Sequence, residues 1–350
     1  MVVTIFFLSS GLFLGWSLGA NDAANVFGAA VSTKMVKFRS AAIICAIFVI
    51  AGSVMSGAGA SDTLGKLGSV NALAGAFTVA FSAGFTVFLM TRMKLPVSTS
   101  QSIVGAIIGW NLFSGFKTDY STLTKIVTTW ILSPVLAALF AIGFFFLIKR
   151  TIIRSKIHMI RLDSYTRTGL IIVGAFGSYS LGANNIANVM GVFVPVSPFK
   201  DLYILNIFSL SSVQQLFFIG AIAIAIGVFT YSRRVMETVG SDIFKLSPID
   251  AFVIVLSSSL VLFIFASHAL KTLLINAGLP SFPLVPVSSS QAIVGAVLGI
   301  AIAKGGKNIN FGIIGKISIG WIATPLFSGT ISYVLLFFMQ NVFLQQVFIR

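Results

Sequence analysis

Residues 41–60, 71–91, 128–148 and 249–270 are each about 20 consecutive residues of mostly apolar character, the helix length that crosses roughly 30 Å of hydrocarbon. A chain in lipid must satisfy its backbone N–H and C=O groups internally, so runs of this length read as membrane-spanning helices. With 57% hydrophobic and 9% charged residues and a mean hydropathy of +1.02, the remainder offers no segment that reads as a soluble domain. The expected fold class is therefore an all-α integral membrane protein. The N-terminal MVVTIFFLSSGLFLGW lacks a positive n-region and continues without a cleavage-like break into residues 19–25, so it reads as the first half of a retained spanning helix.

Two segments occur twice, in the same order. Residues 17–28 read SLGANDAANVFG and residues 180–191 read SLGANNIANVMG, identical at nine of twelve positions. Residues 95–109 read LPVSTSQSIVGAIIG and residues 285–299 read VPVSSSQAIVGAVLG, identical at ten of fifteen. A weaker echo pairs Trp130 and Pro134 with Trp321 and Pro325. The whole unit is duplicated, which divides the chain into a first repeat over 1–150, a basic connector over 151–167 and a second repeat over 168–350.

The net charge of +15 does not point to nucleic acid, which requires a basic surface on a water-exposed domain. It points to orientation, because Lys and Arg are retained on the cytoplasmic side. Placing the N-terminus outside assigns seventeen basic residues to inner loops and six to outer ones. The inner set includes Lys34, Lys37, Arg39, Arg92, Lys94, Lys304, Lys307, Lys316, the connector cluster from Lys149 to Arg167, and Arg233, Arg234 and Lys245. Five crossings per half then put both termini outside and the connector in the cytoplasm. An odd number inverts the second repeat. The expectation is at least ten crossings in two inverted-topology repeats, with broken helices or re-entrant hairpins at the midplane, an architecture typical of secondary transporters.

Asp22 is the one acidic residue deep in an expected span, where a charge costs about 2.5–3.5 kcal/mol even on lenient insertion scales. It either caps a helix break or lines a binding site. Asn21, Asn25, Asn184, Asn185 and Asn188 gather at matching places in both repeats, and the Gly-Ala-Asn step is where a helix is expected to unwind. Carbonyl, carboxylate and amide oxygens together suit a small hard cation. The second motif differs in kind. Proline followed by hydroxyl residues and an apolar helix marks a helix start, whose capped N–H groups and positive dipole end favour anions. That motif spans Ser98, Thr99, Ser100 and Gln101, and again Ser288, Ser289, Ser290 and Gln291. No Lys or Arg is expected in the core spans, so a bound anion faces Asp22 unscreened. Two unit negative charges about 5 Å apart repel by roughly 3 kcal/mol at an effective dielectric near 20. Anion binding therefore requires a co-bound cation.

Cys45 is the sole cysteine and His158 and His268 are the two histidines, which leaves no basis for a disulfide framework, a zinc or haem centre, or another resident cofactor. The expected spans contain no nucleophile–base pair, so an enzyme is not expected. The GxxxG pairs Gly11/Gly15, Gly105/Gly109 and Gly295/Gly299 permit close helix approach, either within one chain or between two.

The motifs GANDAAN and GANNIAN, with PVSTSQ and PVSSSQ, resemble the signatures of the PiT family of inorganic phosphate transporters across both halves. The resemblance implies phosphate as substrate, cotransport with sodium or in some members protons, and a homodimer in the cell membrane. It places Asp22, Asn25 and Asn188 on the family's duplicated signature and the two Ser-to-Gln runs on its hydroxyl-rich segments. The family commonly carries Asp in both copies; here the second is Asn185, which lightens the site by one negative charge. The reading is sodium-coupled phosphate symport, with Asp22, Asn25, Ser98, Asn185, Asn188 and Ser288 toward sodium. Phosphate is expected on Asn25, Thr99, Ser100, Gln101, Asn188, Ser289, Ser290 and Gln291. Proton-coupled phosphate or sulfate symport by the same architecture, and an anion channel, are the alternatives.

Overall fold

The computed structural model describes residues 2–93, 97–155, 158–204, 208–233, 235–236, 246–306 and 311–349. Leu95 and Pro96, which open the first hydroxyl motif, lie outside them, as do the basic residues Lys94, Lys156, Arg234, Lys245, Lys307 and Arg350. The fold is helical: α1 (Val2–Ser32), α2 (Phe38–Ser56), α3 (Ala58–Leu67), α4 (Leu73–Arg92), α5 (Thr99–Ser114), α6 (Tyr120–Ser155) and α7 (Met159–Met190) are followed by a short 3₁₀ turn, Gly191–Val196. After a hairpin of β1 (Leu202–Ile204) and β2 (Phe208–Leu210), antiparallel with Tyr203 opposite Ser209, come α8 (Ser212–Thr230), α9 (Pro248–Ala266), α10 (His268–Asn276), α11 (Ser289–Ala303) and α12 (Phe311–Asn341). Among the described residues, seven helices are long and apolar enough to cross a membrane: α2, α4, α6, α7 with the turn after it, α8, α9 and α12. The connector expected over 151–167 is mostly helix, the end of α6 and the start of α7.

Partners recur in matched pairs along the two halves. α1 packs on α4 and α8, and α7 packs on α9 and α2; α5 lies against α12, and α11 lies against α6. The glycines explain how close these approaches are. A Cβ at Gly105 would overlap the Pro325 carbonyl, and one at Gly295 would overlap the Pro134 carbonyl; Gly109 meets Gly329 and Gly299 meets Ala138. The prolines of the weak third echo are thus the surfaces on which the hydroxyl-capped helices rest, each in the other half. These GxxxG pairs serve packing within one chain.

The structure corrects one expectation. α1 and α7 run unbroken through GANDAAN and GANNIAN, where unwinding is the local reading. Gly19 and Gly182 admit backbone instead: a Cβ at either would overlap the carbonyl of Ile224 or Val49 respectively. Tertiary packing overrides the local preference of Gly and Asn. Proline is likewise accommodated inside α6 and α12.

Two ties hold the helix ends. Lys304, just after α11, reaches the buried carboxylate of Asp250 at 2.5 Å, and Asp250 also completes a capping box with Ser247 at the start of α9. At the far end of α5, the Trp110 indole N–H donates to the Val347 carbonyl at 3.0 Å, and Asn71 pairs with both backbone groups of Ile349. Outside the spans, Asp119 leads into α6 and accepts from the Thr122 hydroxyl and from the backbone of Thr122 and Ser121. The Thr122 bonds hold its carboxyl below the ordinary value.

Candidate functional site

Four elements converge. α1 contributes Asn21, Asp22 and Asn25; α7 contributes Asn184, Asn185 and Asn188; the other two are the starts of α5 and α11. The helix starts form as the hydroxyl pattern predicts. The Ser98 hydroxyl accepts from the Gln101 backbone N–H at 3.3 Å, and the Ser288 hydroxyl accepts from that of Gln291 at 3.3 Å. Both are N-caps in extended backbone, so one lone pair of each is committed to its own helix.

Asp22 is 2% exposed, and each of its hydrogen bonds comes from a neutral group. Asn21 Nδ2 donates to Oδ1 at 2.7 Å, while the Ser289 hydroxyl at 2.9 Å and Asn185 Nδ2 at 3.3 Å donate to Oδ2. Ser289 also accepts from Asn25 Nδ2 at 3.2 Å. Sequence positions 22, 25, 185 and 289 therefore form one cluster spanning both repeats. On the other side, Asn185 Oδ1 accepts from Asn184 at 2.9 Å and Asn188 at 3.0 Å, and Asn188 Nδ2 donates on to Ser100 Oγ at 2.9 Å.

The two helix starts also hold each other. Ser100 Oγ donates to the Val287 carbonyl at 3.0 Å, and Ser290 Oγ donates to the Val97 carbonyl at 3.2 Å, while Ser288 and Ser290 share a hydroxyl contact at 3.1 Å. Asn184 grips Val287 from both sides, donating to its carbonyl at 2.7 Å and accepting from its N–H at 2.9 Å. Sequence reasoning placed Asn184 in the asparagine cluster but gave it no ligand, and it did not single out Val287. The repeated Gly-Ala-Asn and the repeated Pro-Val before the serines were both visible, but neither says anything about a partner over 100 positions away.

The same cluster leaves polar atoms without partners. Thr99 Oγ1, Gln101 Oε1, Asn188 Oδ1 and Gln291 Oε1 are buried and make no hydrogen bond among the described residues. Such groups are uncommon in a native interior and each calls for an explanation. These four, of thirteen such atoms among the described residues, belong to the motifs expected to bind a ligand. Thr99 lacks the pairing its counterpart makes, since Ser289 is bonded to Asp22 and Asn25.

Comparison with known proteins places the whole chain. The model of the phosphate transporter family matches residues 18–281 and 272–349. A candidate phosphate permease of Pyrococcus abyssi is 26% identical over 93% of this chain and 95% of its own length. One from Methanocaldococcus jannaschii is 28% identical over 92% and 93%. A solved structure described as the sodium-dependent phosphate transporter superimposes with a TM-score of 0.73, covering 96% of this chain and 99% of that one at 23% identity, a likeness of fold. With the family model spanning both repeats and all four motifs, this chain belongs to the phosphate transporter family.

Proposed function

We propose that this protein is a sodium-coupled phosphate symporter of the cell membrane, built as two inverted repeats around one midplane site. The observation that carries sodium coupling is the environment of Asp22: a buried carboxylate whose donors are two amides and a hydroxyl, with no basic side chain among them. Such a group both needs a cation and repels an unaccompanied anion. The sodium dependence named for the solved relative supports the same reading.

In this reading Asp22, Asn25, Asn185 and Asn188 supply oxygen ligands to sodium, with Ser98 and Ser288 beside them at the helix caps. Thr99, Ser100, Gln101, Ser289, Ser290 and Gln291, with Asn25 and Asn188, receive phosphate at the two helix starts. The unpartnered atoms of Thr99, Gln101, Asn188 and Gln291 are where ligand bonds would form. α1, α5 and α11 join the seven helices named above to make ten crossings, five in 1–150 and five in 168–350, with the connector over 151–167 in the cytoplasm and both termini outside.

Sodium-driven uptake of phosphate into proteoliposomes is the direct test. Replacing sodium by choline at constant pH should abolish uptake. Unchanged uptake would remove sodium coupling, and a remaining dependence on the pH gradient would assign the proton instead. Sulfate competing as well as phosphate itself would widen the substrate class.

Asn185 occupies the position matching Asp22, and its amide Nδ2 points at the Asp22 carboxylate. An N–H thus stands where a second carboxylate would call for another cation. Asn185→Asp should restore that demand, so the apparent Hill coefficient for sodium rises by roughly one. A sodium activation curve identical to that of the native protein, in a variant that still transports, would refute this role.

A further inference from the structure

At 36 residues and about 1.5 Å per residue, α6 is roughly 54 Å long, well beyond a hydrocarbon core of about 30 Å. Its apolar run ends at Ile148, before Lys149 and Arg150, so the last turns leave the acyl region. Phe146, Lys149, Arg150, Ile153 and Arg154 follow the spacing i, i+3, i+4, i+7, i+8, which puts all five on one helix face, and together they line a shallow groove of about 310 Å³. Phe146 is 52% and Ile153 67% exposed, and the three cations are exposed as well.

This face suits neither bulk phase. A surface meant for water would not keep Phe146 and Ile153 exposed, and one meant for acyl chains would not carry three cations. Among the described residues these cations have no acidic partner: the ion pairs there are Arg167 with Asp163 and Lys304 with Asp250, and Lys149 overhangs the Phe145 ring at 5.7 Å. The sequence around them adds Lys156, Arg161 and Arg167 against the single acid Asp163. An interface offering both an apolar phase and a layer of phosphodiesters matches the mixture.

We propose that this face of α6 is a binding site for an anionic phospholipid, its headgroup phosphate held by Lys149, Arg150 and Arg154 and its acyl chains lying against Phe146. The test uses the full-length protein purified in detergent and titrated with phosphatidylglycerol, phosphatidylcholine or inorganic phosphate. Three surface cations, each worth about a fivefold effect, give phosphatidylglycerol a preference of roughly a hundredfold over phosphatidylcholine. That preference should vanish in Lys149→Gln/Arg150→Gln/Arg154→Gln. Equal binding of the two lipids, or an unchanged preference in the triple variant, overturns the site. Displacement of the lipid by millimolar inorganic phosphate would also overturn it, reassigning the cations to the free anion. A photoactivatable phosphatidylglycerol makes the test independent of any variant's folding: in the native protein it should cross-link within residues 146–154, and labelling confined to other segments refutes the proposal.

Discussion

Asp22→Asn protein reconstituted in liposomes takes up phosphate at least roughly a hundredfold more slowly than the native protein under a sodium gradient. The factor follows from removing one carboxylate–cation attraction, about 3 kcal/mol at 5 Å and an effective dielectric near 20. The substitution is nearly isosteric, and the fold already holds an amide at the corresponding place, Asn185, fully buried. With its carbonyl oxygen at the Oδ2 position the new amide keeps the Ser289 and Asn185 donors, and the part-buried Asn21 can flip its own amide to accept from the new N–H. Thermal stability should therefore stay close to native, which separates loss of coupling from loss of fold. Native-rate uptake by this variant would reduce Asp22 to a structural tie between α1 and α11.

The second large effect is expected on folding. Gly105→Ala and Gly295→Ala should each destabilise the protein by about 1–3 kcal/mol, read as a fall in melting temperature in detergent, and the double variant by more. The added methyl groups would meet the Pro325 and Pro134 carbonyls, which are backbone and cannot swing aside. Gly143→Ala, in the same membrane region with nothing within reach of its Cβ, is the control and should be neutral or better, because Ala is the stronger helix former. Equal melting temperatures for Gly143→Ala and Gly295→Ala would show that the α11–α6 crossing is looser than its geometry.

The features legible in the sequence were those written locally. Apolar length marked the spans, and Ser98 and Ser288 marked helix starts because a hydroxyl followed by an apolar helix is a capping signal wherever it occurs. The duplication was legible as text. What it pairs was not: the rest of α5 on Pro325, of α11 on Pro134, and the grip of Asn184 on Val287 are decided by how the two halves interleave. Gly19 and Gly182 misled for a related reason. A glycine beside asparagine reads as a helix breaker in isolation, whereas here it is an indentation for a neighbour's carbonyl, and nothing within ten residues distinguishes the two uses. The return of residues 347–349 to Trp110 and Asn71 left no trace in either local pattern.

The crossed hydroxyl bonds, Ser100 to the Val287 carbonyl and Ser290 to the Val97 carbonyl, form a closed loop of restraint. Each helix start is fastened to the strand of chain leading into the other, so displacing one pulls on its counterpart. In the transport cycle proposed above, the two helix starts would therefore be expected to move together and not as two independent gates.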